Sequence, residues 1–322
     1  MVKRLKKKKK SKKIFFIAIF LLLFFLPALI FLGFKIYRSV DHSLWDGQSQ
    51  FNLAVDSRPG MIVSFDRQAE TINVLVIPDG TFVEVIHGYG PYRIESIYKL
   101  GEIKGNGGEL LVGSLQEYFG LGVDGFLVGG KFLVKEMSLK NFLLNQIFPL
   151  QFSKEKTNLS RWDQARLWWF LKRIREDKIN LIDLSQTSAS SEVELPDGSR
   201  AMKIDQERLE RIISQFFVDP KIKEEDLSIS ILNKTEHFGL ANKAARIISN
   251  SGGRVIQVGS EQKEDSKTNC QIKSHKKHRQ SYTVLKLSRL FDCQWVEEPL
   301  SEQRAEIVLL LGEDYWEKLN LP

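Results

Sequence analysis

The spacing of apolar residues changes character along the chain. From 14 to 34 it is unbroken (IFFIAIFLLLFFLPALIFLGF), twenty-one residues without a charge. At ~1.5 Å rise per residue the run makes roughly 31 Å of helix, about the thickness of a bilayer's hydrocarbon core. A backbone in lipid must satisfy its polar groups internally, which forces a helix there. Pro27 removes one hydrogen bond and bends the span, while Lys35, Tyr37 and Arg38 supply the charged and aromatic residues expected at the far interface. The pattern predicts an N-terminal transmembrane helix over 14–37 and a polar stalk over 38–50. A cleaved leader would have a shorter apolar core, ~7–15 residues, and a small-x-small site after it. No such site follows Phe34, so the span is read as an uncleaved anchor.

Beyond the stalk the period shortens to two. Strands are expected at 51–55, 61–65, 71–77 and 81–86, with a hairpin connection at 66–70 and a break at His87-Gly88-Tyr89-Gly90-Pro91. Helical spacing then takes over. A short helix is expected at 94–100, and a longer one follows Gly107 and Gly108, with Leu110, Leu111, Leu115 and Phe119 on one face and Gly120 as its C-cap. A strand at 123–130 precedes helices at 138–147 and 160–177, the second rich in Trp162, Trp168, Trp169 and Phe170. Strands interleaved with helices indicate an α/β sandwich, here over 51–183. Residues 184–226 read as a connector: a small polar loop (184–199), a helix at 204–216 with Leu209, Ile212, Ile213 and Phe216 on one face, then Pro220 and a charged hinge. The last hundred residues alternate regularly, with strands at 227–233, 254–260, 293–299 and 305–315 and helices at 239–251 and 281–292. They read as a small βαβ-type domain over 227–316.

Charge changes this picture in two ways. The tail 1–13 holds nine of the 47 basic residues and no acid, against two basic residues just after the span. That asymmetry keeps the amino terminus cytoplasmic and puts everything from about 39 outside. The tail sits against anionic lipid of the inner leaflet. The remaining 38 basic residues face 40 acidic ones, so the folded part is nearly neutral and a nucleic-acid partner is excluded. Both cysteines, Cys270 and Cys293, fall in the outside portion. Each lies on or beside a strand of one βαβ unit, and adjacent strands would bring them within bridging distance. A disulfide is expected; the alternative is two separately buried thiols.

The string SISILNKTEHFGLANKAARIISNSGGRVIQVG, with the closing AEIVLLLGEDYW, resembles the LytR C-terminal domain over about 227–316. The matching features are a strand ending Leu232-Asn233-Lys234-Thr235 and Gly239-Leu240-Ala241 opening a helix. A stop at Gly252-Gly253 and the ending Leu311-Gly312-Glu313-Asp314-Tyr315 complete the match. Asn233 and Thr235 suit a capping turn, and the paired glycines end the helix. The resemblance implies a binding or accessory domain, without a catalytic site.

Residues 50–185 resemble the LytR-CpsA-Psr domain, on FNLAVDSRPGMIVSFDRQAETINVLVIPDGTFVEV followed by GELLVGSLQEYFGLGVDGFLVGG. The resemblance implies transfer of phosphate-linked glycopolymers from a polyprenyl carrier to the cell wall. That chemistry needs cations for a pyrophosphate, acids for a divalent metal and an apolar groove. Departures stand at the key positions. The family's Ile-Pro-Arg-Asp-Thr run is here Ile77-Pro78-Asp79-Gly80-Thr81, so Asp79 replaces the phosphate-binding arginine and Gly80 the acid. The Arg-Ser-Asp stretch is here Asp56-Ser57-Arg58, with its charges interchanged. Asp163 and Arg166 match an Asp-x-x-Arg element, with Trp168 and Trp169 following where more polar residues are usual.

The expected function is a membrane-anchored, extracytoplasmic envelope protein that is non-catalytic and binds wall polymer, a polyprenyl-linked precursor or a partner protein. It needs no cofactor. The alternative is a working phosphotransferase using Mg2+ and a rearranged acidic and basic set, Asp56, Arg58 and Asp79 with Arg161 and Arg166. Arg161, Asp163, Arg166 and Arg173 are the polyphosphate-binding candidates, with Lys172 and Arg175 beside them; the competing reading is an ordinary solvated helix face with the tryptophans and Phe170 assigned to the core. His275 and His278 have ligand-like spacing, but the surrounding lysines oppose a cation.

Overall fold

A computed structural model of the chain describes residues 27, 30, 31, 33, 34, 38–132, 137–148, 156–196, 198–261, 269–298 and 305–320. The basic tail and the predicted span, apart from those first five positions, lie outside the described residues. Among the described residues no helix is long and apolar enough to cross a membrane.

Five strands build the first sheet: β1 (Phe51–Arg58), β2 (Gly60–Asp66), β3 (Thr71–Ile77), β6 (Gly125–Lys131) and β7 (Ile179–Asp183), in the order β6-β1-β2-β3-β7. The meander β1-β2-β3 is antiparallel, while β6 and β7 pair parallel to β1 and β3 at the edges. Strands buried on both faces lose the polar alternation of a one-sided sheet, and β2 is buried throughout. On one face Ala54, Ile62, Leu75 and Ile77 pack against α1 (Ile94–Glu102) and α2 (Gly107–Phe119). On the other Leu53, Val55, Val63 and Val74 pack against α3 (Leu139–Ile147) and α4 (Arg161–Arg173). The result is the expected sandwich. Gly120 closes α2 at φ +59°, as the sequence predicts.

The second sheet contains β10 (Ser228–Asn233), β11 (Arg254–Ser260), β12 (Gln271–Ser274), β13 (Gln294–Glu297) and β14 (Ile307–Leu311), ordered β11-β10-β14-β12-β13. Helix α7 (Leu240–Asn250) crosses from β10 to β11, and α8 (Tyr282–Phe291) from β12 to β13. Because β12 and β13 pair in parallel with Gln271 opposite Gln294, the preceding Cys270 and Cys293 meet and form a disulfide.

Four stretches fold differently from the expectation. Residues 184–199 contain a strand, β8 (Ser190–Glu194), which pairs with β9 (Arg200–Ile204). A second hairpin, β4 (Phe82–Val85) with β5 (Gly90–Arg93), uses the glycine-rich break as its turn. After α5 (Gln206–Phe216) the charged hinge is helix α6 (Pro220–Glu225), capped by Asp219 with Pro220 in its first turn. The chain continues past the last strand into α9 (Glu313–Asn320).

The predicted stalk is not free either. Trp45 is buried at 1% exposure, and the segment around it lies against α4. Core residues run without interruption from the α1–α2 face of the first sheet through Leu209, Ile213 and Phe217 to Ile229, Ile231 and Leu309 of the second.

Candidate functional site

Three predicted residues converge at the carboxyl end of β1. By alternation Asp56 shares the face of Ala54, toward α1, and Arg58 closes the strand opposite Lys131 of β6. The Phe132 N–H donates to the Arg58 carbonyl at 2.9 Å, fixing that end of the β1–β6 pair. From β3 the chain enters the Pro78–Thr81 turn, where the backbone N–H and hydroxyl of Thr81 both donate to the Pro78 carbonyl, at 3.2 and 2.7 Å. Gly80 sits at φ +79°, a conformation few other residues adopt. Its N–H donates to Glu95 Oε2 at 3.1 Å, and the Ile94 N–H donates to the Thr81 carbonyl at 2.9 Å. The first turn of α1 is therefore tied to the Asp79 turn, with Glu95 at a helix start that favours an acid. From the side, the Met202 N–H of β9 donates to the Gly80 carbonyl at 3.2 Å. The Arg93 guanidinium reaches Ser199 at 3.2 Å, so the β8–β9 hairpin borders the site.

Charge alternates across this cluster. Burial lifts the Asp56 carboxyl from the ordinary 3.8 to about 6, against the opposing pull of Lys99 and Arg58. Burial also raises Asp79, and Glu95 raises it further, while Arg58 and Lys131 act the other way. The positive charge of Arg58 thus acts on both carboxyls. Glu95, Lys99 and Lys131 were not singled out from the sequence; nothing local marks them. Among the described residues no three His, Cys, Asp or Glu side chains assemble as a metal-ligand set. Glu95 is spent on the Gly80 amide.

The raised Asp56 has a consequence for stability. A folded-state pKa above the unfolded value means the folded chain keeps an extra proton between roughly pH 4 and 6. Stability is fully present below that window and falls as pH rises through it. Asp56→Asn removes the penalty, so urea unfolding at pH 8 should give a higher midpoint than the parent, with the difference gone at pH 4. Equal midpoints at pH 8 would show an unstrained carboxylate.

Helix α4 lies on the opposite face of the sheet, and its residues do not join this cluster. Asp163 is fully buried and accepts from Ser43 Oγ (2.5 Å), the Leu44 and Trp45 N–H groups (3.0 and 3.1 Å) and the Ser160 N–H (3.0 Å). It also completes a capping box with Ser160. Arg166 donates through Nη1 to the Trp45 carbonyl at 2.7 Å. These two candidates hold the 43–45 segment. Arg161 reaches Gln164 on its own helix at 3.5 Å, and Arg173 lies 4.6 Å from the centroid of the Trp169 ring. The tryptophans assigned to the core are mostly outside it: Trp162 is 38% and Trp169 51% exposed, and Phe170 is the buried ring. His275 and His278 flank a short turn, with the His275 ring accepting from the Lys277 N–H.

A separate cleft of about 510 Å³ lies between α2 and the second sheet's helices, with Val112, Phe126, Leu290 and Leu319 in its wall.

No family model matches the chain, and no curated protein matches it. Among solved structures, B. subtilis TagT is 17% identical with a TM-score of 0.37, over 52% of this chain and 89% of that one. The LytR-CPS2A-psr family protein YwtF (TagT) with bound octaprenyl pyrophosphate lipid is 18% identical with a TM-score of 0.37, over 52% and 88%. B. subtilis TagV is 13% identical with a TM-score of 0.39, over 52% and 95%.

Proposed function

We propose that this chain is a membrane-anchored envelope protein of LytR-CpsA-Psr type that binds a phosphate-linked wall polymer or its polyprenyl-carried precursor without transferring it. The reading places residues 14–37 across the membrane and the two sheets outside. It is supported by the sequence resemblance of 50–185 and 227–316, and by the basic tail ahead of the apolar run. One observation carries the non-catalytic part. The charge of Arg58 pulls on both the Asp56 and the Asp79 carboxyl, and Asp79 stands where the resemblance implies an arginine. Three cations (Arg58, Lys99, Lys131) face three acids (Asp56, Asp79, Glu95). Such a cluster holds one phosphate group without the surplus positive field that a transferring pyrophosphate demands.

The transferase reading keeps one point in its favour. A carboxyl near 6 titrates close to neutrality and is suited to general-base work.

The full chain in mild detergent, mixed with a short-chain polyprenyl pyrophosphate and magnesium, separates the two. Binding by calorimetry is expected, weakened roughly tenfold to a hundredfold by Arg58→Ala, the size of one charge-assisted contact. No phosphate release is expected. Release that disappears in Arg58→Ala would establish the enzyme, and absence of both binding and release would leave a scaffold for a protein partner.

A further inference from the structure

Helix α4 turns one stripe of side chains outward. Trp162, Arg166, Trp169 and Arg173 follow at intervals of four, three and four residues, the spacing of a single helical face. The Arg166 guanidinium lies 5.0 Å from the centroid of the Trp162 ring, and that of Arg173 lies 4.6 Å from Trp169. Lys172 sits 4.8 Å from the adjoining Trp168. Asp163, the one acid on this helix, is buried and bonded inward; Trp162, Trp169 and Arg173 are exposed, and Arg166 is half-buried with its Nη1 donating inward to the Trp45 carbonyl. Just past the helix Asp177 is engaged by Arg175 at 3.0 Å. Indoles half in water with a cation over each ring suit one environment well. In the headgroup layer of a bilayer the ring body meets acyl carbon and the cation meets phosphate.

The position of the stripe names the occupant. At the start of α4 the Trp162 N–H donates to Ser39 Oγ at 3.0 Å, and four positions later the chain is clamped to Asp163. Ser39 stands two residues beyond the end of the predicted span, at most roughly 7 Å of extended chain. The segment expected to be a stalk gives no slack, and α4 begins where the chain would leave the bilayer.

We propose that the Trp162–Arg166–Trp169–Arg173 stripe of α4 lies on an anionic phospholipid surface, seating the first sheet directly on the membrane. The inference rests on the reading of 14–37 as a membrane span. It accounts for a set of exposed tryptophans that the fold does not need. Docked in this way, the unit's orientation to the bilayer is fixed by two attachments, the span and the stripe.

The test reconstitutes the full chain in nanodiscs of phosphatidylglycerol brominated near the headgroup and reads quenching of tryptophan fluorescence. Both stripe tryptophans are exposed, so Trp162→Phe/Trp169→Phe should keep the parent's melting temperature. The parent should be quenched, and the double variant should lose most of that quenching. Arg173→Glu should reduce it as well. Incorporation into the discs with quenching unchanged in the double variant would overturn the inference while leaving the span in place. Failure to co-elute with the discs would overturn the span itself, and this inference with it.

Discussion

Replacing Asp163 by alanine should cost roughly 3 kcal/mol or more, because it strands several buried donors together. The carboxylate has no exposure and is the acceptor for the Leu44, Trp45 and Ser160 amides and for Ser43 Oγ. Losing the capping box at the start of α4 adds its own penalty, about 1 kcal/mol. Urea unfolding reads the total. The effect should also be local in a way that a simple cavity is not. With Asp163 gone, the 39–50 segment loses its anchor and Trp45, 1% exposed, comes out of the aromatic cluster it forms with Phe51 and Phe170. Limited proteolysis should therefore cut the variant between 39 and 50 under conditions that spare the parent. Asp163→Asn, which keeps one acceptor oxygen, should fall between the two. A loss below about 1 kcal/mol with unchanged proteolysis would mean that water or the backbone readily replaces the carboxylate.

That clamp also shows where sequence reasoning stops. Strands β1 to β3 were legible because their apolar, β-branched runs between turn residues are local signals, and so were α2, with its Gly120 cap, and the two cysteines beside strands. The 38–50 segment reads as a polar stalk because what holds it, Asp163, is about 120 positions away. Strand β8 (SSEVE) shows no apolar alternation and is largely exposed, so nothing local distinguishes it from a loop. The run KIKEED looks like a hinge until Asp219 and Pro220 are recognised as cap and first turn. Tryptophan at helical spacing ordinarily marks a buried face; here Trp162 and Trp169 lie outside, each with a guanidinium over its ring. Asp56, Arg58 and Asp79 could be picked out through a family resemblance. Their companions Glu95, Lys99 and Lys131 could not, since the topology alone joins β1, β3, β6 and α1 at one corner.

The second large effect belongs to the contact between the two sheets. Lys286 of α8, 6% exposed, reaches Asp124 Oδ1 at 2.5 Å, and Asp124 Oδ2 accepts from the Asn52 N–H of β1 at 2.8 Å. Beside it Asp219, 2% exposed, accepts from the Tyr282 hydroxyl at 2.6 Å. Burial raises the Asp219 carboxyl, and Lys286 is the largest influence holding it down. One ammonium is therefore paired with the half-buried Asp124 and acts through its charge on the buried Asp219, acids drawn from different parts of the chain. Lys286→Met keeps the stem and removes the charge, leaving Asp124 without its cation at a cost of about 3–5 kcal/mol. Adding Asp124→Asn should recover much of that loss, because the uncompensated charge goes with it, and the two substitutions should be strongly non-additive in a double-mutant cycle. Additive losses would place the stabilisation in packing of the lysine stem. Since α8 connects strands of the second sheet and β1 lies in the first, the single variant should also separate the unfolding of the two sheets. Hydrogen exchange would then show β10 and β14 opening before β1 to β3, where the parent opens both together through its continuous core.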